Sequence, residues 1–331
     1  SVPWQKWPEG LRKRDRGLLE VYRQNLQHLV DFHCFLQFTF ARQWQELRNY
    51  AHRQRIKIMG DIPIFVAADS CDTWVNPQCF ELDFQGRPAK VAGVPPDYFS
   101  PTGQCWGNPL YRWDVMRRDG YQWWVERLRL LLTQVDYIRL DHFRGFAAYW
   151  EIDARELTAV NGRWVQGPGE HFFNVLKQKL GQLPLVAEDL GHITPDVRQL
   201  KDRCGFPGMK VLQFLTAESW PPDRDDFQVI YYTGTHDNDT LLGWYYKNIR
   251  RFLDRPREDL NICREFIEAL YSSPAAWVIV PFQDLLCLGS EARMNTPGTT
   301  KGNWRWRMEA GALNNNGLAV FLSELSAKYF R

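Results

Sequence analysis

Six short apolar runs, rich in Val and Ile, begin near residues 56, 136, 184, 209, 229 and 277, and helix-patterned stretches separate them. No other feature of the chain restricts its fold so strongly. A strand, a helix and another strand in succession build a parallel sheet, because parallel neighbours need a long crossover. Right-handed crossovers leave two outcomes, a doubly wound sheet or a (β/α)8 barrel. The helix signals agree. Thr194 as cap, Pro195 in the first turn and Gly205 after the stop frame one helix. Others are predicted over 121–132, 169–180, 259–270 and 318–330, with one more from about Thr240. From Leu11 to about Arg55 the chain also reads helical, with Phe32, Phe35, Trp44, Leu47 and Ala51 near helical spacing. Residues 66–113 are dominated by Pro, Gly and Asn, and read as a long loop or inserted subdomain of functional character.

The placement of charge favours the barrel. Asp141, Glu188 and Asp237 each stand at the C-terminal end of a strand, the face on which such barrels build their sites. No GxGxxG or GxxxxGK[ST] follows a strand, so nucleotide folds lose support. A closed barrel has eight strands, and no strand-like run precedes Ile56. The expectation is therefore a single domain over 1–331, an incomplete (β/α)8 barrel of six strands whose first two are missing. An opened barrel of this kind bares two strand edges.

Composition serves mainly to exclude. Apolar residues at 44% and charged residues at 24% support a core and argue against disorder. The formal net charge is +2, with Lys and Arg spread along the chain, so no nucleic-acid partner is expected. No apolar run reaches membrane-spanning length and the N-terminus lacks a signal-peptide core, so no membrane partner is expected either. Seven cysteines without a CxxC pair read as reduced thiols in a cytoplasm, and seven dispersed His give no HExxH or HxH metal motif. Fifteen tryptophans are unusual. Most can be core, but a flat apolar face with a polar handle also suits a sugar ring.

Side chains alternate along a strand, so Arg139 and Asp141 point the same way while Ile138 and Leu140 face the helices. Inward carboxylates on neighbouring strands suit glycosyl transfer. A nucleophilic Asp attacks the anomeric carbon, and a protonated Glu gives its proton to the leaving oxygen. A carboxyl separation of about 5–5.5 Å marks the retaining, covalent route. Arg139 favours an ionised Asp141, and burial would raise the pKa of Glu188. Plainer readings stand beside each motif. Arg-x-Asp on a strand is commonly a structural ion pair, "AEDLG" an ordinary strand-to-helix turn, and "THDND" a turn or metal site. A metal-dependent barrel hydrolase using His142, His192 and His236 is the alternative from another class.

The motifs "GDIPIFVAADS", "VNPQCFELD", "VAGVPPDYFSPTGQCWGNPLY", "IRLDHFRGF", "VAEDLGHITPDV", "GFPGMKVLQF" and "YYTGTHDNDT" occur in this order. In this the chain resembles the amylomaltases, the 4-α-glucanotransferases or disproportionating enzymes related to the α-amylase barrels. The resemblance runs from about Trp7 onward, with the family's N-terminal portion absent. It implies retaining transfer of α-1,4-glucan segments between maltodextrins, with maltose as a further substrate and glucose as an acceptor, and requires no organic cofactor or catalytic metal. It implies Asp141 as nucleophile, Glu188 as acid/base and Asp237 as the carboxylate that stabilises the transition state. Arg139, His236, Asp61 and Asn295 become substrate contacts. The run 93–101 resembles a mobile loop over the acceptor side, with Tyr98, Phe99 and Trp106 covering bound glucan. The runner-up is a non-catalytic carbohydrate-binding remnant, inactive because its barrel is incomplete.

Overall fold

The computed structural model describes residues 2–96, 100–215, 227–249 and 259–330. The chain forms two compact units, Ser1–Phe206 and Pro207–Arg331. Ten strands lie among the described residues: β1 (Met59–Pro63), β2 (Lys90–Val94), β3 (Gln104–Pro109), β4 (Tyr137–Asp141), β5 (Ala148–Asp153), β6 (Arg163–Gln166), β7 (Leu185–Ala187), β8 (Gly208–Val211), β9 (Val229–Tyr232) and β10 (Trp277–Ile279). All six strands read from the sequence are present, as β1, β4, β7, β8, β9 and β10.

In the first unit β1, β4 and β7 form a parallel sheet in the order β1-β4-β7, with Asp61 opposite Arg139 and Pro63 opposite Asp141. Ile138, Leu140, Leu185, Val186 and Ala187 are buried. Apolar side chains of the helices Gln122–Gln134, Gly169–Leu180 and Pro195–Cys204 join Ile138, Leu140, Leu185 and Ala187 in one core, including Trp124, Leu128, Phe172, Leu176, Val197 and Leu200. Strands covered in this way read as continuous apolar runs, which is why they were visible in the sequence. Gly205 takes a left-handed φ of +72° and ends the helix Pro195–Cys204, as its position predicted.

Residues 66–113 are more than a loop. They hold the short helix Cys71–Val75, the strands β2 and β3, and the start of the helix Trp113–Arg118. β2 is an inner strand of an antiparallel sheet in the order β3-β2-β5-β6. The Pro and Gly residues punctuate short strands here, and β5, one partner of β2, lies far along the chain. Gly93 sits where β2 is pinched between its neighbours: a Cβ there would meet Gln104 O at 2.1 Å and Ile152 Cδ1 at 2.6 Å. Gly93→Ala is expected to cost about 1–3 kcal/mol of stability by overpacking. The check is the urea midpoint, and an unchanged midpoint would show that the strands can part freely.

The 11–55 region divides into the helices Glu9–Arg12, Arg16–Asn25 and Gln27–Arg53. The helical reading of this stretch holds, but in Gln27–Arg53 only Ala51 is buried. Phe32, Phe35 and Leu47 are 54%, 62% and 53% exposed. Periodicity reports that a helix has an apolar face and says nothing of what covers it. Contacts near the helix's C-terminal end hold it to the unit: Trp44 Nε1 donates to Gln134 O at 2.9 Å, and Arg48 and His52 reach Asp136 at 3.1 and 2.9 Å.

In the second unit β8, β9 and β10 are parallel in the order β10-β9-β8. Leu212, Tyr231, Leu241, Leu242, Ile267, Leu270 and Leu325 form its core. Cys263 and Cys287 form a disulfide, with Cα atoms 5.9 Å apart, which corrects the expectation that all seven thiols are reduced. Their 24-residue separation matches no motif; the fold brings them together. Cys34, Cys71, Cys79, Cys105 and Cys204 are free. Among the described residues no helix is long and apolar enough to cross a membrane.

Candidate active site

The register of β1 against β4 sets Asp61 and Arg139 side by side, and alternation along β4 sets Asp141 on the same face. Arg139 Nη1 lies 2.9 and 2.7 Å from the two carboxylate oxygens of Asp61 and 2.9 Å from Asp141 Oδ1. The guanidinium is buried while both carboxylates stand open to water, Asp61 within β1 and Asp141 at the end of β4. Burial works against the charge of Arg139, but Asp141, Asp61 and Glu188 outweigh it and raise the pKa. One buried cation on a core strand is thus neutralised by acids on two strands.

Glu188 follows β7 directly. Its backbone N–H donates to Leu140 O at 3.1 Å, so the carboxyl begins beside the end of β4. Oε2 accepts from the backbone N–H of His142 at 2.8 Å and Oε1 from that of Leu190 at 2.9 Å. Withdrawal from water, then the negative charge of Asp141, push the Glu188 pKa up to about 7, against the pull of Arg139 and the two N–H groups. A carboxyl tuned in this way can both give and take a proton near neutrality.

His142 makes this geometry possible at some cost. Its φ is +52°, the left-handed region that a side chain with a Cβ visits only with strain, and the turn aims its N–H at Glu188. Burial lowers the ring's pKa to about 4, so the imidazole is neutral. Trp106, half-exposed on β3, meets this ring edge to face at 4.9 Å and donates its own Nε1–H to Gln104 Oε1 at 3.1 Å.

The second unit gathers its own group. Asn295 Nδ2 donates to Asp237 Oδ1 at 2.6 Å, and His236 Nε2 lies 3.5 Å from Asp237 Oδ2. The Asn295 N–H donates to His236 O at 3.0 Å, and Arg293 donates to the Asp237 carbonyl at 2.6 Å. Buried Asp284 anchors both ends of the turn that carries His236 and Asp237. It accepts from Thr233 Oγ1 at 2.6 Å and from the Leu241 N–H at 2.7 Å. Burial raises the Asp284 pKa to about 6.

Of the residues singled out from sequence, Asp61, Arg139, Asp141 and Glu188 meet in the first unit, with Trp106 joined to them through His142. His236, Asp237 and Asn295 meet in the second. Tyr98 and Phe99 lie outside the described residues. His142, Arg293 and Asp284 were missed as supporting residues. For Asp284 a signal existed, an acid inside the apolar run "PFQDLL". No signal marked the left-handed turn at His142. The metal reading finds no donor set: among the described residues no three His, Cys, Asp or Glu side chains group as a metal site.

The family described as 4-alpha-glucanotransferase matches this chain over residues 1–314. The 4-alpha-glucanotransferase of Thermus thermophilus is 48% identical over 95% of this chain and 66% of its own length. The chloroplastic/amyloplastic 4-alpha-glucanotransferase of Solanum tuberosum is 44% identical over 100% of this chain and 60% of its own. The chain thus spans about two thirds of the length of the curated relatives it matches. Among solved structures, the amylomaltase of Streptococcus agalactiae in complex with acarbose superposes with a TM-score of 0.91 at 37% identity, covering 100% of this chain and 69% of that one. Corynebacterium glutamicum amylomaltase, at 19% identity, TM-score 0.75 and coverage of 91% of this chain and 50% of its own, shares the fold.

Proposed function

The chain belongs to the 4-alpha-glucanotransferase family, and from that membership we propose that it moves α-1,4-glucan segments between maltodextrins by a retaining, covalent route. The fold is amylomaltase-like; its completion to a barrel and the unity of 1–331 as one catalytic domain belong to the proposal. The observation that carries it is the first-unit carboxylate pair: Asp141 ion-paired to Arg139, and Glu188 with its pKa raised to about 7 beside it.

In this reading Asp141 attacks the anomeric carbon of a bound glucan and the glycosidic C–O bond breaks. Glu188 passes its proton to the departing oxygen, leaving a glucosyl ester on Asp141. Glu188, now ionised, takes the proton of an acceptor 4-hydroxyl, and that oxygen displaces Asp141. Donors are maltose and longer maltodextrins, and glucose is an acceptor. Asp237, held by Asn295 and Arg293, is assigned to the positive charge that develops as the bond breaks. Asp61, Arg139, His236 and Asn295 are assigned to sugar hydroxyls, and Tyr98, Phe99 and Trp106 to covering the glucan. The residues complete the chemistry without a cofactor. A cytoplasmic setting belongs to the proposal; the five free cysteines fit it, while the Cys263–Cys287 disulfide does not.

Incubation with maltotriose tests the proposal: glucose and a ladder of longer oligomers are expected by chromatography. Glucan binding without a ladder would favour a non-catalytic remnant, and a ladder abolished by chelator would favour the metal reading. Arg139→Gln gives a sharper test. It leaves Asp61 and Asp141 without their shared cation, so a rate loss on the order of 10²-fold is expected. Arg139 also restrains the Glu188 pKa. Its removal should therefore move the high-pH fall in rate further up the pH scale. A limb that stays in place would show that Arg139 does not tune Glu188.

A further inference from the structure

We propose that Trp304 is a sugar-stacking platform, its indole taking the C–H face of one glucosyl ring of an α-glucan held beside Asp237; this rests on the glucan-transfer reading above. Among the described residues Trp304 is the most exposed tryptophan, with 52% of its surface in water. Core packing therefore does not explain it. Its backbone is left-handed, with φ of +61°. Glycine or asparagine would adopt that conformation at less cost, so the tryptophan there needs a reason in its ring.

The ring is fixed in place. The Trp304 N–H donates to Met294 O at 2.7 Å. Just before it, Asn303 closes a turn on itself, accepting from the Thr296 N–H at 3.0 Å and donating to Thr299 O at 3.0 Å. Arg307 donates to Trp304 O at 3.0 Å. The indole leans on the His236 ring, with centroids 5.3 Å apart and planes tilted by 41°. His236 in turn lies 3.5 Å from Asp237, whose other oxygen takes the Asn295 amide. A strained backbone, a clamped turn and a neighbouring ring thus hold a large apolar surface in water beside a carboxylate and an amide. Polar groups able to grip hydroxyls next to a flat face able to cover C–H bonds are what a pyranose requires.

The test is calorimetric titration of maltotriose and maltoheptaose into the parent protein and into Trp304→Gly and Trp304→Phe. Glycine keeps the left-handed turn and removes only the ring; phenylalanine keeps a smaller flat face. Trp304→Gly should bind at least about tenfold more weakly and Trp304→Phe within about threefold of the parent. Parent-like binding by Trp304→Gly overturns the inference. Failure of the parent to bind either sugar removes the glucan reading, and this inference with it. A second measurement needs no variant: oxidation of Trp304 by N-bromosuccinimide, mapped by mass spectrometry with Trp7 as reference. Saturating maltoheptaose should slow it at least about fivefold. Unchanged oxidation at Trp304, in a protein that calorimetry shows to be saturated, also overturns the inference.

Discussion

Asp141→Asn is expected to yield no oligomer ladder from maltotriose, a loss of about 10⁴-fold or more, with the fold kept. An amide nitrogen or oxygen cannot form the glucosyl ester, and the loss of a covalent nucleophile is among the largest single effects known in enzymes. The fold should survive because Arg139 keeps both of its contacts to Asp61 and is not left as a lone buried cation. The variant should also show coupling: the charge of Asp141 helps to raise the Glu188 pKa, so removing it lowers that pKa. Product chromatography and a thermal melt check both halves. Turnover at the parent's rate would refute Asp141 as nucleophile.

Glu188→Gln is expected to cost about 10²–10⁴-fold on maltotriose, but far less on an α-maltosyl fluoride donor. Fluoride leaves without a proton, so the first step no longer needs the acid. Asp141→Asn should not be rescued by the same donor; rescue of Asp141→Asn but not of Glu188→Gln would reverse the assigned roles. The pH dependence has a definite sign. The parent must hold the Glu188 proton to start the reaction, so its rate should fall as pH rises through about 7. Stability follows the same group. Because the folded pKa lies above the ordinary value of 4.5, its contribution is complete below about 4.5 and is lost as pH rises through about 7. Glutamine has no such slope. It does turn an NH₂ toward one of two backbone donors, costing about 1–3 kcal/mol at every pH, so the slopes, not the absolute stabilities, are to be compared by urea titration at several pH values.

The parallel strands were legible because each is a compact apolar run, and β4 and β7 lead directly into acids of the site. The alternation of side chains along β4 likewise gave Arg139 and Asp141 a shared face from the sequence alone. The antiparallel sheet was not legible, because β2 finds β5 across a wide gap in sequence and glycine and proline conceal its short strands. The helix Gln27–Arg53 was legible as a helix but not in its surroundings, since spacing cannot tell a covered face from a wet one. At the site the acids could be read, while what aims them could not. The N–H of His142 depends on a backbone angle, Asp284 acts on a turn 43 to 51 residues earlier, and the partners Cys263 and Cys287 are chosen by the fold.

The uncovered side of Gln27–Arg53 bears on how the protein behaves in a tube. At 27 residues the helix is a rod of about 40 Å, and its aromatic side meets solvent directly. A formal net charge of only +2 gives copies little mutual repulsion. Colloidal behaviour is then ruled by crowding and by the salt in the buffer: sulfate should promote clumping and cooling should loosen it, well before heat reaches either core.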